Sequence, residues 1–279
     1  MQWIAWVYKM KLKKILESKA FIYAFILLIA AGILFFRSDF VIAKDAIVNA
    51  VIKNVGTELL VLAIVLVAFC KKESLTLVSL KVSGKALLWS IPCFLVALAN
   101  FPFSALINKT AVILRADLIW LVAIECFVVA VTEELFFRGV VTSHLDSKLE
   151  GKHKKFKVVI ISGAIFGAWH IINLLGGAGV TATLLQVVYT FLIGSMLAML
   201  LVTTKSLTLC VLVHAIFNFG GAVIEKLGTG VAHDTIFWIA TVLAGAFCFV
   251  FMGVSYLKTE KPFKKTAVTA LDDTNEDTK

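Results

Sequence analysis

Three groups of polar residues lie inside otherwise apolar stretches, and their types are those of acid–base chemistry. Glu133 and Glu134 are adjacent and precede Arg138 in Val131-Thr132-Glu133-Glu134-Leu135-Phe136-Phe137-Arg138. His170 follows Gly163, Phe166 and Gly167 and precedes Asn173, while His214 and Asn218 stand four residues apart. Burying an ionisable group in a hydrophobic span costs about 2.5–3.5 kcal/mol on insertion scales, so each such group needs a reason. A carboxylate and an imidazole can take a proton from water, and an imidazole and an amide can donate to a developing oxyanion. A carboxylate withdrawn from water is also a better base at neutral pH.

Helical spacing divides the labour within the first group. Glu134 and Arg138 share a face at i,i+4 with the acid N-terminal, the favourable order for an ion pair. Glu133 points about 100° away from Glu134 and about 140° from Arg138, so it stays available as a base. In the second group, Gly163, Phe166 and His170 fall on one face with Gly167 and Asn173 beside them, and the Gly163/Gly167 pair lets a neighbouring helix approach closely. In the third, His214 and Asn218 stack on one face. Each group alone has a plainer reading, as an interfacial charge cluster or as hydrogen bonds between helices. Together, on three separate spans, they point to one site.

The surrounding chain is built for lipid. Of its 279 residues 60% are hydrophobic and 16% charged, with a mean hydropathy of +0.96. Such a composition cannot clothe a soluble core. Eight apolar stretches are predicted as spans, at about 17–36, 50–70, 86–107, 117–137, 157–175, 182–203, 206–224 and 235–256. Pro92 and Pro102 fall inside the third, where a kink is expected. With the N-terminus inside, 20 Lys and Arg fall in cytoplasmic segments and 6 outside, setting Arg138 apart from the 27 in the chain. That bias places both termini in the cytoplasm. The expected fold is therefore all-α, a polytopic membrane protein of about eight transmembrane helices. Residues 1–256 form one transmembrane domain with a motif-bearing core at about 117–224, and residues 257–279 form a solvated, disordered cytoplasmic tail. The first apolar run carries no small-residue cleavage pattern and is read as a retained span.

The net charge of +9 does not signal nucleic acid, because the basic residues sit between spans and form no aromatic-interleaved patch. The five cysteines form no CxxC pair and read as small apolar side chains. Counted from the predicted cytoplasmic ends, Glu133 lies roughly 6 Å deep, His214 roughly 12 Å and His170 roughly 20 Å, a wide spread for one site. A helical basic run at Lys152–Lys157, outside the hydrocarbon, would narrow it.

The ordered trio resembles the CAAX-protease and bacteriocin-processing (Abi) family of membrane peptidases, whose pattern is EExxxR, then FxxxH, then HxxxN or HxxxD on separate membrane helices. Glu133, Glu134 and Arg138, then Phe166, His170 and Asn173, then His214 and Asn218 carry the likeness, which extends over about Ile119 to Gly221. The resemblance implies an intramembrane endopeptidase in a cell membrane, of bacterial plasma-membrane type, acting on a membrane-associated or lipidated peptide or protein. It implies that Glu133 and His170 activate water, that His214 and Asn218 hold the oxyanion, and that Glu134, Arg138, Phe166 and Asn173 support them, with no cofactor. Zinc bound by the two histidines and a glutamate is the mechanistic alternative, although no HExxH spacing is present. No Ser-His-Asp set or GxSxG competes. A non-catalytic immunity or scaffold protein, or a transporter with Glu125, Glu133, His170 and His214 on an ion path, would use the same residues. Glu125 has no assigned role, and neither the oligomeric state nor the substrate's identity is encoded legibly.

Overall fold

The structure, a computed structural model, describes residues 41–66, 82–151 and 153–259. Long apolar runs become helices because lipid offers the backbone no other hydrogen-bond partner. In chain order they are α1 (Ala46–Ile64), α2 (Gly84–Ala99), α3 (Phe103–Ile107), α4 (Ile119–Glu134), α5 (Ser143–Lys148), α6 (Lys154–Trp169), α7 (Val180–Thr204), α8 (Leu207–Leu227) and α9 (Thr235–Thr259). A π-helical segment, Leu135–Thr142, joins α4 to α5, and a 3₁₀ segment, His170–Leu174, extends α6. Starts are capped where the sequence supplies an acceptor. Asp45 accepts from the amides of Ile47 and Val48, Ser83 from Ala86, and Ser206 from Leu209.

Five helical runs are long and apolar enough to cross a membrane: Ala46–Ile64, Lys154–Leu174, Val180–Thr204, Leu207–Leu227 and Thr235–Val254. The protein is an all-α, multi-pass membrane protein. The predicted span at 17–36 lies outside the described residues, as do 67–70 of the second span and most of the predicted tail.

Three predicted boundaries move, each for a local reason. The span predicted at 86–107 is two helices, because Pro102 disfavours helical backbone in the residue before it and α2 stops at Ala99. Pro92, by contrast, is accommodated inside α2. The span predicted to end at 137 continues through the π segment and α5 to Lys148 without a gap. Finally, α9 runs to Thr259, three residues into the predicted tail. The helical continuation after Glu134 also brings Glu133 level with His170, while His214 stays seven residues from the start of α8. Glu133 and His170 each lie about 15 residues from the helix end on the same side, or roughly 22–24 Å along it.

The helices interlock where side chains are smallest. A Cβ added at Gly167 would come 2.8 Å from the carbonyl oxygen of Val187 and one at Gly163 would collide with Ser195, while a Cβ at Gly194 would meet Phe166 at 2.8 Å. The α6–α7 seam therefore needs glycine on both sides. A buried cluster including Cys93, Ala97, Leu197, Leu200, Cys210 and Val213 binds α2, α7 and α8 together. Asn100 Nδ2 donates to the carbonyl oxygen of Phe217 at 2.7 Å, tying the α2–α3 break to α8. A two-stranded antiparallel ribbon, Ala111–Ile113 with Gly228–Gly230, ties the approach to α4 to the end of α8.

Helices α1 and α4 run parallel. Arg115 meets Asp45, Asn54 meets Glu125 and Thr132 meets Glu58, so contact positions advance together along both chains. Arg115 holds the Asp45 carboxyl below its ordinary range through a 2.7 Å hydrogen bond, and holds Asp117 down in the same way at 2.9 Å. Carboxylates depressed in the folded state stabilise it above their unfolded pKa, and that contribution disappears as pH falls through the folded value. Thermal midpoints in vesicles should therefore drop below the ordinary carboxylate range, and less so in Arg115→Gln. Identical acid profiles for the two proteins would refute the assignment. At the glycine seam, Gly163→Leu should lower the midpoint by several degrees, overpacking typically costing about 1–3 kcal/mol. An unchanged midpoint would mean that the seam is not close-packed.

Candidate active site

The site is organised around the Glu134 carboxylate, which is wholly buried, as is Arg138. Its Oε1 accepts from Arg138 Nη1 at 2.8 Å, the i,i+4 pair expected from spacing. The same oxygen lies 2.8 Å from His214 Nδ1 on α8. Arg138 is held further by a 3.1 Å hydrogen bond from Nη2 to the carbonyl oxygen of Gly194 on α7. Its guanidinium lies 4.5 Å from the centre of the Phe166 ring on α6. One arginine thus touches α6 and α7 directly, and α8 is joined to it through Glu134, which His214 shares.

His214 is 3% exposed, with both ring nitrogens engaged. A carboxylate paired with arginine only accepts, so Nδ1 carries the proton donated to Glu134. The other nitrogen, Nε2, faces Glu133 Oε2 at 3.5 Å. Glu133 keeps 17% of its side chain exposed while Glu134 keeps none. Adjacent in sequence, the two acids are separated as the helical wheel requires: one is sealed into structure, and the other stays partly exposed.

His170 caps α6 and starts the 3₁₀ segment. Its Nδ1 lies 2.9 Å from the Phe166 carbonyl oxygen, which can only accept, so the proton sits on Nδ1 and the neutral ring presents Nε2 as an acceptor. The Phe166 ring stands edge-on to both histidines, with centroids 5.0 Å from His170 and 5.8 Å from His214. No hydrogen bond or ion pair joins His170 to Glu133; His214 is the histidine in contact with it. Asn218, one turn below His214, is partly buried.

Residues 115–220 match a family described as Type II CAAX prenyl endopeptidase Rce1-like. The likeness is to that family over this stretch. The family is one of proteases, and the matched stretch contains every residue assembled above. Helices α1, α2 and α9 lie outside the match. No curated protein matches the chain.

Gln186 and Glu58 escaped sequence reasoning, and Glu125, which it named without a role, gains partners. Gln186 on α7 accepts from Asn173 Nδ2 at 2.8 Å, which anchors the segment bearing His170. Glu125 accepts from Asn54 at 2.8 Å and from Lys226 at 2.6 Å, joining α1, α4 and α8. Glu58 on α1 brings a third carboxyl into Coulombic reach of Glu133. Gln186 and Glu58 are polar residues within predicted apolar spans, so the rule that singled out Glu133 could have found them. Among the described residues, no three His, Cys, Asp or Glu side chains converge as a metal ion would require.

Because Arg138 is fully buried and multiply bonded, Arg138→Ala should destabilise by about 3–5 kcal/mol, with Arg138→Lys unable to restore the contacts. A double-mutant cycle with Glu134→Gln should give a coupling energy above about 1 kcal/mol from thermal or denaturant unfolding. Additive losses would mean that the ion pair does not hold the helices together.

Proposed function

We propose that this protein is a glutamate-dependent intramembrane endopeptidase that hydrolyses a peptide bond in a membrane-associated or lipidated peptide or protein. The supporting observation is the His214 ring, set between Glu134 Oε1 at 2.8 Å and Glu133 Oε2 at 3.5 Å. A buried carboxylate on Nδ1 orients the ring, and with a proton on each nitrogen Nε2–H is a donor beside the base.

Glu133, partly exposed, takes a proton from a water molecule, and His170 Nε2 accepts the water's other hydrogen bond. The water oxygen attacks the scissile carbonyl carbon. The resulting oxyanion receives hydrogen bonds from His214 Nε2–H and the Asn218 amide. The proton held by Glu133 passes to the departing nitrogen as the carbon–nitrogen bond breaks. Glu134 and Arg138 keep His214 oriented, and Asn173 with Gln186 keeps the His170 turn docked on α7.

In this reading the chain spans the plasma membrane of a bacterium eight times with both termini cytoplasmic, and the bilayer delivers the substrate. The Rce1-like match favours prenylated CAAX-type substrates as the first class to assay. Maturation of secreted bacteriocin-like peptides is the second class.

With the full-length protein in vesicles and an internally quenched prenylated peptide, Glu133→Gln should abolish hydrolysis while leaving the thermal midpoint near wild type. Turnover within a few-fold of wild type would remove Glu133 as the base. Asn218→Ala should lower kcat by about 10²–10³-fold with little change in KM, the usual effect of losing one oxyanion donor. A change confined to KM would make Asn218 a binding group. Activity should survive EDTA and phenanthroline. Loss under chelation with recovery on adding zinc would reassign Glu133, His170 and His214 as ligands.

A further inference from the structure

Asn218 differs from the two histidines of the site in how it is held. His214 has Glu134 on Nδ1 and Glu133 beside Nε2, and His170 has the Phe166 carbonyl on Nδ1. The Asn218 side chain, by contrast, makes no hydrogen bond to a described residue. Its amide is open to a ligand, and its placement has to come from the backbone that carries it.

That backbone is gripped from α2, a helix outside the Rce1-like match. Asn100, the residue that ends α2, donates from Nδ2 to the Phe217 carbonyl oxygen at 2.7 Å. This oxygen belongs to the planar peptide group whose nitrogen is that of Asn218, so the bond fixes the plane from which the Asn218 Cα projects. A carbonyl oxygen has two lone pairs and can take this bond without leaving the α8 hydrogen-bond ladder. The approach is close because α8 has no side chains on the next turn. A Cβ at Gly220 would come 2.8 Å from the Phe101 ring and 3.0 Å from the Asn100 carbonyl oxygen, and one at Gly221 would come 3.2 Å from Asn100 Nδ2. Phe101 also stands edge-on to Phe219, with ring centroids 5.5 Å apart. The α2–α3 break is therefore seated on α8 from Phe217 to Gly221, and its polar contact falls on the residue before Asn218. An asparagine within an apolar span is costly unless it finds such a partner on a neighbouring helix.

We propose that Asn100 is a positioning residue that acts through the Phe217–Asn218 peptide, holding the Asn218 amide where the oxyanion forms. The proposal rests on Asn218 being an oxyanion donor. It adds α2 to the working parts of the enzyme, since the broken end of that helix sets the orientation of a group on α8.

Turnover of the quenched prenylated peptide by the full-length protein in vesicles tests this. Asn100→Ala should lower kcat by about 10-fold with KM within about twofold, since displacing a positioned group by about 1 Å can cost about 10²-fold and losing the donor outright about 10²–10³-fold. In an Asn218→Ala background the same substitution should change kcat by less than about twofold, because the group it positions is gone. Equal losses in the two backgrounds, or a loss confined to KM, would overturn the proposal and make Asn100 a packing or binding residue. Gly221→Ala reaches the same contact without removing a hydrogen-bonding group: its methyl displaces Asn100 Nδ2, while alanine favours the helix over glycine. Its kcat should fall by about threefold or more with the thermal midpoint unchanged or raised, and again only while Asn218 is present. If Asn100→Ala does not fold, this second variant decides, and wild-type kcat in it or an equal loss without Asn218 would overturn the proposal. Wild-type kcat in Asn100→Ala alongside a crippled Asn218→Ala would sink this inference alone. Wild-type kcat in Asn218→Ala would instead sink the oxyanion assignment on which it rests.

Discussion

One oxygen atom, Oε1 of Glu134, holds the site together. It receives Arg138 and His214 simultaneously, in a place with no access to water. A buried carboxylate is a liability unless its charge is met at close range, and removing either partner leaves an uncompensated ion in an apolar surround. The arrangement is under-satisfied even so: Glu134 Oε2 and Arg138 Nε have no hydrogen-bond partner among the described residues. Packing replaces part of what hydrogen bonding leaves out, since the guanidinium lies over Phe166 and that ring is sealed in turn by Phe137 at 4.9 Å. Such a centre tolerates few substitutions and specifies one geometry, which suits a scaffold for reacting groups.

The π-helical segment immediately after Glu134 belongs to the same construction. A wider turn shifts side chains around the axis relative to a regular helix, and such segments are frequent at functional sites. The hydroxyls of Thr142 and Ser143 donate to carbonyl oxygens five residues back, at Phe137 and Arg138, and Thr142 also meets Ser162 on α6 at 2.7 Å. These bonds stabilise the widened turn and dock it on the neighbouring helix. Arg138 is thereby delivered into the interior while Glu133 remains at the rim.

Much of this was legible in the residues. Apolar run length marked the helices because lipid imposes that requirement on any spanning segment, and the Glu134–Arg138 pair followed from i,i+4 spacing alone. The close seam was announced by Gly163 and Gly167, although their counterpart Gly194 on the opposing helix was not. Helix ends were less legible. Hydropathy fades at Arg138 while the backbone continues helically, since hydrogen bonding and not apolarity sustains the chain from Leu135 to Lys148. Contacts between helices were least legible of all. The approach of His214 rather than His170 to Glu133, the Asn173–Gln186 bond and the advance of Glu58 alongside Thr132 depend on how α1, α4, α7 and α8 lie against one another, and no local pattern encodes that.

The backbone contact at the glycine seam constrains traffic through the molecule. With Gly163 and Gly167 pressed on Val187, Phe191 and Ser195, and Gly194 on Phe166, α6 and α7 meet with no room for a further side chain at these positions. Parting them would break a continuous interface and withdraw the ring on which Arg138 rests. This flank is a closed wall, so under the proposed function a substrate arriving sideways from the bilayer has to find its doorway between other helices. The mechanical compliance of the protein is thereby distributed unevenly, with a stiff half behind the histidines and any movable gate confined to the remainder of the perimeter.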